Sequence, residues 1–102
     1  MKLTELEPRW WGLIGRHGQG MLFLCPHCLT EYLGIAFANP LDGGLAVPEE
    51  IRKYTNKKGE PKVQPLWNRQ GDEFENITIT PSIDASEIGH WHGFITNGEI
   101  IN

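Results

Sequence analysis

Twelve Gly and seven Pro are scattered through a chain of 102 residues. Inside a helix they cost about 1 and 3 kcal/mol respectively. A helical bundle is therefore disfavoured, and short strands joined by turns are expected. The length suits one domain over residues 1–102, since two cores of roughly 50 residues each would sit near the lower limit for independent folding. Four Trp, four Phe and two Tyr can fill a small core. A core this small commonly needs a staple, which directs attention to the two Cys and four His.

Several function classes are disfavoured by composition. The chain is 39% hydrophobic and 22% charged, a globular balance. A net charge of −4 lacks the basic footprint that nucleic-acid binding requires. Five of the nine basic residues fall between Arg52 and Lys62, but only Tyr54 accompanies them, so a solvated loop is the expectation there. No segment approaches the ~18 apolar residues of a membrane span. Two Cys three positions apart do not make a secreted disulfide framework, and a cytoplasmic location is expected.

The strand pattern is readable in places. Arg9–Ile14 and Met21–Leu24 form a candidate hairpin around a Gly-rich connection. Tyr32–Ala38 leans towards strand through Ile35 and Phe37. Val47–Tyr54 predicts a short helix, with Pro48 at its start, acids in the first turn and bases in the last. Thr55–Pro65 reads as an exposed loop, and Asn68–Asp72 as a turn. Phe74–Thr80 alternates, with Ile77 and Ile79 on one face. Pro81 is expected to end or edge that strand. Asn97–Gly98 between Trp91–Thr96 and Glu99–Ile101 is a two-residue hairpin signal. The fold class is mainly β: a compact antiparallel sheet or partial barrel with one short helix, stapled by zinc.

The staple is assigned to two pairs. Cys25-Pro26-His27-Cys28 is a C-x-x-C turn, a spacing that lets two thiolates reach one tetrahedral ion. His90-Trp91-His92 places two imidazoles on one face if the segment is a strand. Cys25, Cys28, His90 and His92 make a Cys2His2 set for Zn2+, closing most of the chain. His17 and His27 are spare candidates. Four protein ligands would make a closed structural site, and three with a water a site of catalytic type. The same C-P-H-C tetrapeptide suits a thiol-disulfide oxidoreductase at Cys25 and Cys28. That reading requires a long helix after the first Cys, and Gly34 and Asn39-Pro40 leave little room for one.

Thr80-Pro81-Ser82-Ile83-Asp84 offers a second chemistry. A nucleophilic Ser needs a base in reach and a third group to orient it. Ser82, His92 and Asp84 supply those types. A simpler role for Ser82 is to cap a turn after Pro81.

Trp67, Gly71-Asp72, Thr78-Ile79-Thr80-Pro81-Ser82-Ile83, Trp91-His92-Gly93-Phe94-Ile95 and Gly98-Glu99-Ile100 resemble one bacterial and phage family of uncharacterised domains. An upstream C-x-x-C, here Cys25 and Cys28, is typical of it. Its phage members often carry an "ammonia monooxygenase" label, which nothing in this chain supports. Relatives in bacterial ubiquitin-like conjugation operons are regarded as zinc-associated peptidases. The resemblance implies a zinc-binding phage or bacterial protein acting through a protein or peptide partner, or a peptidase-type hydrolase with Ser82 as nucleophile. Relatives tend to have a Cys shortly before the W-H-G stretch, where this chain has Ile88-Gly89-His90. His90 is then the replacement ligand. If His90 and His92 both bind metal, neither is free to serve Ser82.

Overall fold

Alternating burial decides which way each strand faces, and the strands here are short enough for turns to dominate. The computed structural model describes residues Met1–Asn102. A 3-10 turn at Leu3–Leu6 precedes β1 (Arg9–Trp11), β2 (Gly20–Leu24) and β3 (Tyr32–Phe37). A single helical turn, α1 (Glu49–Arg52), leads into β4 (Lys53–Thr55) and β5 (Pro61–Val63). Then come β6 (Leu66–Gln70), β7 (Thr78–Asp84), a 3-10 turn at Ser86–Ile88, β8 (His92–Thr96) and β9 (Glu99–Ile101).

Seven strands form one sheet in the order β1-β2-β3-β6-β7-β8-β9, curled into a half-barrel. All neighbours are antiparallel except β3 and β6, which pair in parallel over Ala36↔Leu66 and Phe37↔Trp67. The N-terminus helps to curl the sheet. Leu3 N–H donates to Gly98 O and Ile100 N–H to Met1 O, so the segment before β1 is tied to the β9 edge. Leu3 and Leu6 plug the concave side, where they are fully buried with Met21, Phe23, Phe37, Ile77, Ile79 and Ile95. Phe23 meets Trp91 edge-on, with ring centroids 6.2 Å apart. Fully burying side chains of this size contributes roughly 1.5–3 kcal/mol each. The mainly β architecture expected from composition is the observed one.

Five local expectations change. The strand expected from Phe74 begins only at Thr78, because 74–76 is a turn in which Asn76 N–H donates to Glu73 O. The helix expected over Val47–Tyr54 shrinks to Glu49–Arg52, because Lys53–Thr55 pairs with Pro61–Val63 as an exposed hairpin. That hairpin occupies most of the expected 55–65 loop. Asn68–Gln70 is strand rather than turn, registered against Thr78–Thr80. Its partner strand supplies the pairing that local turn propensity could not foresee. Strand β7 runs through Pro81 instead of ending there, with a register irregularity between Ile79 and Ile83. A bulge is where a strand tolerates a residue without an N–H. By contrast, Asn97 and Gly98 take positive φ, 48° and 75°, as the tight β8–β9 turn demands. No helix is long and apolar enough to cross a membrane.

Candidate active site and metal centre

The Cys-containing turn follows β2 directly. Cys25 continues the inward alternation of the strand and is fully buried, while Cys28 is half-buried. Cys25 O accepts from Leu29 N–H, which bends the loop back on itself. No helix follows; the chain passes straight into β3. The architecture required for a thioredoxin-like Cys pair is therefore absent.

Cys25 Sγ, Cys28 Sγ and a ring nitrogen of His90 lie within 4.8 Å of one another. Cys28 Sγ is 3.6 Å from His90 Nδ1. Zn–S and Zn–N bonds of 2.3 and 2.0–2.1 Å at a tetrahedral angle put ligand atoms about 3.6 Å apart. On the far side of the ring, His90 Nε2 is 2.9 Å from Glu31 Oε2. A carboxylate there favours the proton on Nε2 and leaves the Nδ1 lone pair aimed at the thiols. Hydrogen bonds from the Thr30 side chain, then the Thr30 and Glu31 backbone, with a lesser one from Cys25, hold the Cys28 thiol down at about 6. A thiolate is thereby available near neutral pH, the form that binds metal. Two cysteine sulfurs and an oriented imidazole are a donor set that could hold a metal ion.

His92 is not part of this cluster. The two histidines were expected on one face of one strand. The strand begins only at His92, and the residues before it are bent. Ala85 O accepts from His90 N–H, and Ala85 N–H donates to Trp91 O, closing a tight 85–91 turn. His90 is thereby carried to the Cys loop. His92 stays on the sheet, exposed and directly across from Asp84. The two histidines thus stand in different surroundings, His90 with the thiols and His92 across from Asp84. His17 and His27 also lie outside the cluster.

Strands β7 and β8 carry the second candidate set. Ile83 and Gly93 face the core as a register pair, so Ser82, Asp84 and His92 share the opposite face. Asp84 opposes His92, and Ser82 stands two residues before Asp84 on the same face of β7. Ser82 and His92 are diagonal neighbours, a relation that typically spans 7–8 Å, within reach of long side chains. No hydrogen bond joins Ser82 Oγ to an imidazole in this conformation. Asp84 Oδ1 instead accepts from Ser86 Oγ at 2.6 Å and from Ser86 N–H at 2.9 Å. Those bonds, and then the charge of His92, hold the Asp84 carboxyl below its ordinary range.

A cavity of about 400 Å³ adjoins this face, with Ser82, Asp84, Tyr32, Trp67 and Tyr54 among its walls. None of the metal-cluster residues lines it. Glu31, Tyr32 and Tyr54 are site neighbours that sequence reasoning missed. Nothing in their spacing announces them: Tyr32 and Tyr54 reach Ser82 from strands distant in sequence, and Glu31, though near Cys28, meets the far-off His90.

The comparisons with curated proteins and with solved structures gave no match. A family model does match, over residues 49–102, a span that contains Ser82, Asp84, His90 and His92 and leaves out Cys25 and Cys28. The matched family is described as the bacterial ubiquitination-like system serine protease (BubE), and the chain belongs to it.

Proposed function

We propose that the chain is a small serine peptidase in which Ser82 is the nucleophile, His92 its general base and Asp84 the carboxylate that supports the base. In the same reading, Cys25, Cys28 and His90 hold a structural Zn2+. The observation that carries the proposal is the common face of β7 and β8. It presents a Ser and an Asp at the wall of a cavity and a His directly across the ladder from that Asp, on a chain whose family is described as a serine protease. Cavities of several hundred Å³ are the size of ordinary ligand sites.

Ser82 Oγ attacks the scissile carbonyl as His92 takes the hydroxyl proton. The ionised Asp84 across the ladder favours the imidazolium that forms. His92 then returns the proton to the leaving amine, and water hydrolyses the acyl-enzyme by the reverse sequence. The exposed His92 has rotamer freedom to close on Ser82, and catalytic hydrogen bonds commonly tighten only with substrate bound. Cys25, Cys28 and His90, which would hold the metal, do not line the cavity. A bound ion would tie the 85–91 turn, which leads into the His92 strand, to Cys28, 62 residues from His90.

An alkyl fluorophosphonate tests the nucleophile. Ser82 is expected to be labelled stoichiometrically, and Ser82→Ala to abolish labelling with an unchanged circular dichroism spectrum. His92→Ala should slow labelling by roughly 10²–10⁴-fold, the usual contribution of a positioned base. Well-folded protein that resists the reagent would remove Ser82 from this role.

A further inference from the structure

We infer that the cavity beside Ser82 is a vacant strand position in the sheet, and that it takes a neutral or basic peptide in extended conformation. The inference rests on the peptidase reading only for what happens to the peptide at Ser82, not for its binding.

Strand β6 separates β3 from β7, but only over part of their length. It touches β3 at Ala36 and Phe37 and β7 at Thr78–Thr80. Before Leu66 the chain leaves the sheet. Gln64 is pulled away because its N–H donates to Arg52 O and its own carbonyl accepts from Arg52 Nη1 at 2.6 Å. Pro65 has no N–H to offer either neighbour. The first half of β3 and the second half of β7 are therefore left facing one another across a gap. Strands that flank a third lie two ladder spacings apart, about 9.6 Å, so where β6 is missing the space between β3 and β7 is of the width that one strand would fill.

The hydrogen-bond phase of each ladder shows what lines that gap. Cys25 N–H donates to Glu31 O and Phe37 N–H to Gln19 O. In the β2–β3 register, this assigns Leu33 and Ile35 to the bonds with β2 and turns the N–H and C=O of Tyr32 and Gly34 the other way. Ala85 N–H donates to Trp91 O. By the same alternation Ile83 bonds to β8, and the backbone groups of Ser82 and Asp84 point into the gap. One of these groups already finds a partner there: Trp67 Nε1 donates to Ser82 O at 3.3 Å. The other groups of these four residues have no partner from across the gap.

The walls specify the occupant. Tyr32, Tyr54 and Ile88 are exposed apolar side chains that rim the cleft, while Trp67 lies deeper. Two carboxylates, Asp84 and Glu87, line it, and no Lys, Arg or His does. An extended backbone satisfies both rows of unpaired groups at once, as in strand addition to a sheet edge. A basic side chain at the Asp84 and Glu87 end meets opposite charge, and an acidic one meets like charge.

Amide exchange read by NMR on the metal-loaded Ser82→Ala chain tests this. The probes are a capped hexapeptide of alternating Ala and Val ending in Lys, the same peptide ending in Glu, and the Lys peptide with alternate amides N-methylated. In the free chain, the amides of Tyr32, Gly34, Ser82 and Asp84 should exchange faster than those of Leu33, Ile35 and Ile83. Near-saturating Lys peptide should slow the four roughly tenfold. The Glu peptide should do so only at higher concentration, and the methylated peptide not at all. Four amides that are already protected, that do not respond, or that respond equally to the methylated peptide would overturn the inference. Fluorophosphonate labelling of the wild-type chain separates the two readings. Labelling without protection keeps the peptidase and discards the strand position; protection without labelling keeps the strand position and discards Ser82 as nucleophile.

Discussion

His90 has two ring nitrogens with two different neighbours. Nδ1 faces Cys28 Sγ and Nε2 faces Glu31. Glu31 thus acts through the ring on whatever the ring binds, as carboxylates behind metal-bound histidines commonly do. Cys28 responds to its own neighbours. Its thiol is held down at about 6 by hydrogen bonds from Thr30, Glu31 and Cys25, against an ordinary value of about 8.5. In the metal-free chain, iodoacetamide should alkylate Cys28 with a rate that rises through about pH 6. A midpoint near the ordinary thiol value would contradict the hydrogen-bonded thiolate. The sign for stability follows from the same depression. The folded chain holds the thiolate more readily than the unfolded one, so this contribution is fully present above the unfolded value and is lost as pH falls through about 6. The C-x-x-C spacing disclosed both thiols in advance, but not Thr30 and Glu31 as the groups that set their chemistry.

At the scale of elements, the strands that carry the candidate catalytic face owe their position to small residues and a shared register. Gly93 on β8 is the tightest example. A Cβ there would meet Ile101 O at 2.4 Å and the Trp91 ring at the same distance. Neither neighbour gives way cheaply, since one is backbone and the other a buried ring. Gly93→Ala should therefore destabilise the chain by about 1–3 kcal/mol, the usual cost of overpacking, measured by urea denaturation. An unchanged midpoint would show that β8 can shift. The alternation around Ile77 and Ile79 and the Asn97–Gly98 turn were legible because each is a local preference. The β4–β5 hairpin and the strand at Asn68–Gln70 were not. Their side chains show no clear alternation, and they exist because another strand lies alongside. His92 illustrates the same limit. Its i, i+2 relation to His90 holds only in continuous strand, and the 85–91 turn breaks that continuity.

At the scale of the whole molecule, Cys25, Cys28 and His90 bring distant parts of the chain to one point, which a bound metal ion would tie. Structural zinc binding contributes on the order of 10 kcal/mol, comparable with the entire net stability of a small domain. Removing Zn2+ from the loaded chain with a chelator should lower Tm by roughly 10 °C or more. Cys28→Ala should abolish the chelator response, whereas Ser82→Ala should keep it. A Tm indifferent to chelator would show that the 14 buried core residues suffice alone. What the sequence determined by itself was local and compositional. Gly and Pro disfavoured a helical bundle, the aromatics and isoleucines supplied a core, and the C-x-x-C and P-S-I segments supplied reactive groups. What only the tertiary structure decided was which groups meet. The 85–91 turn sends His90 to the thiols and leaves His92 beside Asp84, and the departure of Gln64 from the sheet opens the cleft at Ser82. Both outcomes depend on contacts between residues far apart in the chain, and spacing along a sequence carries no information about such contacts until the strands are in register.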